Sequence, residues 1–167
     1  MERIESAGLA AQQPVRAFSS AARWLTEQVG QEFRRATGMW QINYEMLSWL
    51  SEAPQGQLGL TRLARRMEIS TSRLSHLVDR AREHGWVERV PDPVDRRIVL
   101  ARLTGAGNDA LQAAAPFQLA CVRSRFLDRL TPAQVEQLRE ISEALLGPVD
   151  QQDEGGSTGP ESAGRPA

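Results

Sequence analysis

Residues 60–103 read LTRLARRMEISTSRLSHLVDRAREHGWVERVPDPVDRRIVLARL, and the pattern changes three times along them. Leu60, Leu63, Ala64 and Met67 stand at i, i+3, i+4 and i+7, one face of a short helix, and Glu68-Ile69-Ser70 is the turn after it. Leu74, Leu77, Val78 and Ala81 repeat that spacing, which predicts a second helix from Thr71 to His84, with Ser70 as N-cap and Gly85 as its stop. Trp86 to Val90 and Arg97 to Leu103 are then rich in β-branched residues, on either side of the turn-forming, charged connection Pro91 to Arg96. Helix, tight turn, helix and β-hairpin describe a winged helix-turn-helix, whose second helix enters the major groove of DNA.

With Leu74, Leu77, Val78 and Ala81 turned inward, the outward residues near the start of the second helix are Thr71, Ser72, Arg73, Ser75 and His76. Short hydroxyls beside Arg and His approach a groove floor closely and bond base edges, Arg to guanine above all. Arg80 and Arg82 lie further along, within reach of phosphates, and the acids Asp79 and Glu83 are confined to the later part of the helix. At the hairpin tip stand Asp92, Asp95, Arg96 and Arg97. There Asp95 is expected to brace a neighbouring Arg while an Arg enters the narrow, electronegative minor groove. The candidate interface is therefore Ser70, Thr71, Ser72, Arg73, Ser75, His76, Arg80, Asp95, Arg96 and Arg97.

Outward from this stretch, the chain is helical in pattern. Phe18, Ala22, Leu25, Val29 and Phe33 recur every three or four residues, which predicts a long amphipathic helix from Val15 to a stop at Gly38, after a flexible start over residues 1–14. A second helix, about Gln41 to Ser51, is apolar on most of its circumference and is broken by Ala53-Pro54-Gln55-Gly56. After Thr104 a helical stretch runs to about Leu130, bent at Pro116, and Thr131-Pro132-Ala133-Gln134 is a capping box opening a last helix with Val135, Leu138, Ile141 and Leu145 on one face. Residues 148–167 carry almost nothing apolar and are expected to be a disordered tail. The expected fold is mainly α with a small β-hairpin wing.

The chain has 167 residues and a formal net charge of −1, which excludes a uniformly basic coat for nucleic acid. The charge is nevertheless unevenly placed. Gln55 to Gly105 holds ten Arg against six acids, leaving +4, while the remainder holds ten Arg against fifteen acids, leaving −5. All twenty basic residues are arginine, a bias that a GC-rich genome explains and that carries little functional weight. The single cysteine, Cys121, forms no intrachain disulfide, and two His residues are too few to build a metal cage without carboxylates. No metal and no cofactor are expected. Residues 1–14 lack the apolar centre of a signal peptide and no apolar run is long enough to span a bilayer, so a cytoplasmic location without membrane contact is expected.

Three stretches carry a resemblance: Ser70 to Arg80 (STSRLSHLVDR), Gly85 to Arg89 (GWVER), and Asp95-Arg96-Arg97 followed by Leu103-Thr104-Gly105-Ala106-Gly107. In these residues the chain resembles the MarR family of bacterial transcription regulators, over roughly Phe18 to Leu146 by order of elements, the DRR then LTxxG arrangement being the most specific part. The resemblance implies a homodimer, with residues 15–37 and 105–147 as a helical dimerisation region and residues 38–104 as the winged helix-turn-helix. It further implies binding to a pseudo-palindromic operator in double-stranded DNA, and repression relieved by a small aromatic or phenolic effector. It places Arg97 in the minor groove, paired with Asp95, and makes Trp24, Trp40, Tyr44 and Trp49 the candidates for lining an effector pocket. Ala81 stands where the family more often has Leu. Cys121 lies on the fifth helix, whereas redox-sensing members keep their reactive cysteine in the first, so a buried structural cysteine is expected.

Three rivals to this reading leave marks in the sequence. An enzyme would need a nucleophile motif, a Gly-rich phosphate loop or a metal-binding HExxH, and none of these is present. A winged helix serving protein contacts alone would not need the +4 segment or the Arg-bearing wing. A thiol sensor would have to act through Cys121.

Overall fold

A computed structural model describes residues 2–147, with side chains from residue 12 onward. The expected tail at 148–167 lies outside the described residues. The helices are α1 (Glu2–Thr37), α2 (Gln41–Ser51), α3 (Leu60–Arg66), α4 (Thr71–Glu83), α5 (Gly105–Arg125) and α6 (Pro132–Leu146), and the strands are β1 (Gln57–Gly59), β2 (Val87–Pro91) and β3 (Val99–Leu103). The chain divides after Arg129 into two compact units.

In the first unit the core gathers one face from each helix. Phe33 of α1, Met46, Leu47 and Leu50 of α2, Leu63 of α3, and Leu74, Leu77 and Val78 of α4 are its largest fully buried side chains. Burial of each such side chain contributes about 1.5–3 kcal/mol. The stripe predicted on α4 is therefore the inward face of that helix, and Ala81 is fully buried with it. Ser70 caps α4 as expected, its Oγ accepting from the Arg73 amide at 3.2 Å, and Gly85 ends it at φ 73°.

Several boundaries differ from expectation. Helix α1 begins at Glu2, not at Val15, and carries Pro14 inside it, so helix occupies the stretch expected to be a flexible start. Residues 2–13 are dominated by helix-favouring Ala, Glu, Gln and Leu, and a proline removes one backbone hydrogen bond without forbidding the turns on either side. Only the C-terminal part of the α1 stripe is core: Val29 and Phe33 are buried, while Phe18 is 46% exposed. The expected two-stranded hairpin is a three-stranded antiparallel sheet in the order β1-β3-β2, because Gln57, Leu58 and Gly59 pair with Arg102, Ala101 and Leu100. The β3 strand starts at Val99, leaving Arg97 and Ile98 in the tip. Helix α5 contains Pro116, as expected, but ends at Arg125, and a short 3-10 turn covers Leu127–Arg129.

The end of the sheet is tied to the start of α5 by Thr104 and Gly107. The Thr104 hydroxyl donates between the carbonyls of Gly85 (2.6 Å) and Trp86 (3.0 Å) and accepts from the Gly107 amide at 3.0 Å. Gly107 is buried against the Trp86 carbonyl so closely that a Cβ on it would lie 2.0 Å from that oxygen.

The second unit contains α6. Its capping box is present as read: Thr131 Oγ1 accepts from the Gln134 amide, and Gln134 Oε1 accepts from the Thr131 amide at 2.9 Å. Pro132 occupies the first turn and no residue of α6 is buried.

Candidate nucleic-acid interface

Helix α4 presents two kinds of surface. Thr71, Ser72, Arg73, His76 and Arg80 are exposed, as the periodicity requires once Leu74, Leu77 and Val78 face the core. Ser70 is also exposed, but its hydroxyl is engaged in the cap. Ser75 differs from the others. It is half-buried, and Arg89 of β2 donates through Nη2 to its hydroxyl at 2.7 Å and to its carbonyl at 3.3 Å. The same nitrogen lies 3.1 Å from Asp79 Oδ1, which also accepts from Arg82 Nη1 at 3.3 Å. The acid nearest the exposed face is thus offset by two guanidinium groups.

At the wing tip a short network sets the loop. Asp92 Oδ1 accepts from the amides of Val94 (2.7 Å) and Asp95 (3.0 Å), an Asx-type turn, and the Asp92 amide donates to the Ile98 carbonyl at 2.9 Å. Arg97 then grips Asp95 in bidentate fashion, Nε on Oδ1 and Nη2 on Oδ2, both at 3.0 Å, with the Arg97 amide on Oδ1 as well. The Arg97 side chain is nevertheless 90% exposed, so the carboxylate fixes its direction without covering it. Arg96 is exposed and Asp95 half-buried.

The Arg97 guanidinium, with the amide beside it, holds the Asp95 carboxyl below its ordinary value of 3.8, and Asp95 raises Arg97 in turn. A carboxylate depressed in the folded chain contributes above the unfolded value and loses that contribution as pH falls through the folded one. The Arg97 side-chain N–H resonances should therefore hold their position from about pH 8 down to about pH 5, and move only once pH drops below 3.8.

Four aromatic residues were candidates for a ligand pocket, and the structure distributes them. Trp24 lies under Arg129 (4.9 Å from cation to ring centroid), Trp40 under Arg34 (3.3 Å) and Trp49 beside Arg66 (5.3 Å), while Tyr44 meets Phe33 edge-on at 5.2 Å. Trp40 lines a cleft of about 610 Å³ with Gln31, Arg34, Arg35 and Ile42, whereas Tyr44 and Trp49 line a smaller one with Glu45 and Gln118. Cys121 is buried, and burial together with Glu32 pushes its thiol up against the opposing pull of Arg125. Cys121 should accordingly react with a disulfide reagent far more slowly in the native chain than after denaturation, as absorbance of the released thiolate would record.

A residue that sequence reasoning passed over is Arg89, which the structure sets against Ser75 and Asp79. Strand alternation offered a signal, because Arg89 falls two residues after buried Val87, on the inward side, where a charged group requires a partner.

The sequence profile described as the MarR family matches residues 38–98, from the end of α1 to the wing tip. The crystal structure of Sco3205 from Streptomyces coelicolor, a MarR family transcriptional regulator in complex with DNA, is 38% identical, covers 82% of this chain and 86% of its own, and superposes with a TM-score of 0.77. The chain belongs to the MarR family of transcriptional regulators. AbsC from Streptomyces coelicolor, another MarR family regulator, is 32% identical over 81% of this chain and 94% of its own, with a TM-score of 0.73. The transcriptional repressor MprA of Escherichia coli strain K12 is 25% identical over 73% of this chain and 69% of its own length. Within this MarR regulator the wing motif Asp95-Arg96-Arg97 is the Asp–Arg clamp. The LTxxG motif, Leu103 to Gly107, is the Thr104 cap with the one glycine that the Trp86 carbonyl permits.

Proposed function

We propose that this regulator binds a specific, pseudo-palindromic operator in double-stranded DNA as a homodimer and represses by occupying it. The observation that carries the reading is the pairing of an exposed face on α4, bearing Thr71, Ser72, Arg73, His76 and Arg80, with an exposed Arg97 held in place by Asp95. In this reading α4 lies in the major groove and its N-terminal residues meet base edges, Arg73 foremost. Arg80 and Arg96 contact phosphates, and Arg97 enters the minor groove, where a narrow, electronegative floor favours a guanidinium. Ser70 acts by capping the helix rather than by reading.

Apolar surface supports the homodimer. Val15, Phe18, Phe117 and Leu119 on α1 and α5 are 64%, 46%, 46% and 60% exposed, a pattern that a partner helix bundle would bury. Residues 15–37 and 105–147 serve as the dimerisation region and 38–104 as the DNA-binding lobe. An aromatic or phenolic effector would favour a lobe spacing that misses successive grooves, and so release DNA; the cleft under Trp40, within the size range of small-molecule sites, supports such a ligand. The protein acts in the cytoplasm as a binding protein, not as an enzyme. Sequencing of genomic fragments retained by the full chain tests the proposal. Enrichment of an inverted repeat with half-sites about one helical turn apart is expected, and recovery of fragments without any shared motif would refute it.

A further inference from the structure

We infer that Arg89 is a positioning residue that locks the root of the wing onto α4, and that Ser75 belongs to this lock rather than to the base-reading face. The inference rests on the DNA-binding reading above for its functional consequence, though the lock itself is a property of the free protein.

The geometry is specific. Arg89 stands on β2, its side chain only 27% exposed, and its Nη2 reaches Ser75 Oγ, the Ser75 carbonyl and Asp79 Oδ1. Ser75 and Asp79 are one helical turn apart on α4, so a single guanidinium spans the side of the helix that faces the sheet. Its Nε is buried without a hydrogen-bond partner, and the polar contacts that hold the group are those of Nη2. Hydrogen bonds to a charged donor are strong and directional. The Ser75 hydroxyl accepts from Arg89 at 2.7 Å and is half-buried against the sheet, so although it keeps its proton it is held away from a base edge. Because the Arg89 guanidinium is directed at acceptors of α4 and not at a phosphate, it releases no counterion from DNA in this reading, and its removal should alter pose rather than salt dependence.

Arg89→Met, which keeps an apolar stem, Arg89→Lys, Ser75→Ala and the Arg89→Met/Ser75→Ala double variant test this in the full chain. In free protein, amide hydrogen exchange over residues 87–103 and the first turns of α4 should rise in Arg89→Met while α5 is unchanged. Affinity for the selected operator should fall about 10- to 100-fold, with the affinity for random duplex and the slope against salt unaltered. Ser75→Ala should show part of that loss alone and none in the Arg89→Met background. Arg89→Lys should recover little, since its ammonium ends one bond short of the Nη2 position from which all three acceptors are reached.

A salt slope shallower by about one charge, with operator and random duplex weakened alike, would make Arg89 a phosphate contact and overturn the inference. So would additive losses in the double variant, or unchanged exchange. If the wild-type chain prefers no duplex, the DNA-binding reading fails and exchange alone decides the lock. If Arg89→Met does not fold, exchange in Arg89→Lys and Ser75→Ala decides it.

Discussion

Gly107→Ala is expected to destabilise the protein at or beyond the upper end of the ~1–3 kcal/mol typical of overpacking, lowering Tm by about 6–12 °C for a chain of this size. The added Cβ would sit 2.0 Å from the Trp86 carbonyl oxygen and 2.9 Å from Leu103 Cδ1. That carbonyl cannot simply retreat, because it accepts from the Thr104 amide at 3.0 Å and is in reach of the Thr104 hydroxyl. Relief would therefore pull α5 away from the sheet and loosen the cap that starts it. Gly105, two residues earlier in the same turn, supplies the control: a Cβ there meets nothing within 4 Å. Gly105→Ala should be neutral or gain up to about 1 kcal/mol from reduced freedom of the unfolded chain. Thermal denaturation followed by circular dichroism separates the two. Equal melting of both variants would mean that the glycine contact is not what joins wing and helix.

Arg97→Ala should weaken operator binding by about 10- to 100-fold, as loss of a well-placed guanidinium contact does, while thermal stability is almost unchanged. The two expectations diverge because the side chain is 90% exposed: it adds almost nothing to the core, and in the DNA-binding reading its guanidinium faces the groove. Asp95→Asn is the informative companion, since it leaves the arginine charge in place and removes the bidentate brace. Its loss should be smaller than that of Arg97→Ala and should come from orientation. Arg96→Ala should mainly reduce the salt slope, as a phosphate contact does. Anisotropy titrations on operator and random duplex read all three; an Arg97→Ala variant that binds operator like the wild type would remove the wing from the interface.

Local rules were enough wherever local interactions decide. Ser70, Thr104 and Thr131 cap helices because their hydroxyls accept from amides three residues on, and the Leu74, Leu77, Val78, Ala81 stripe is buried because nothing else on α4 is apolar over that length. Most of the misses are non-local. Strand β1 is three residues long, too short to show alternation, and exists through its pairing with β3. Ser75 reads as outward on a helical wheel, which carries no information about a neighbouring strand that covers it. The start of α1 was obscured by Pro14, a residue that ends many helices and here lies within one. The dispersal of Trp24, Trp40, Tyr44 and Trp49 had no signature in spacing, because the partners that claim three of them are arginines from elsewhere in the chain or the adjoining turn.

A locally basic head on a near-neutral chain is expected to read DNA sequence. Anisotropy titration of the full chain against its selected operator and a shuffled duplex of the same composition, repeated over a range of salt, tests it most directly. Binding to the operator should be at least about 10³-fold tighter, and affinity for both duplexes should fall steeply with salt. Equal affinities for the two duplexes, or binding indifferent to salt, would contradict it.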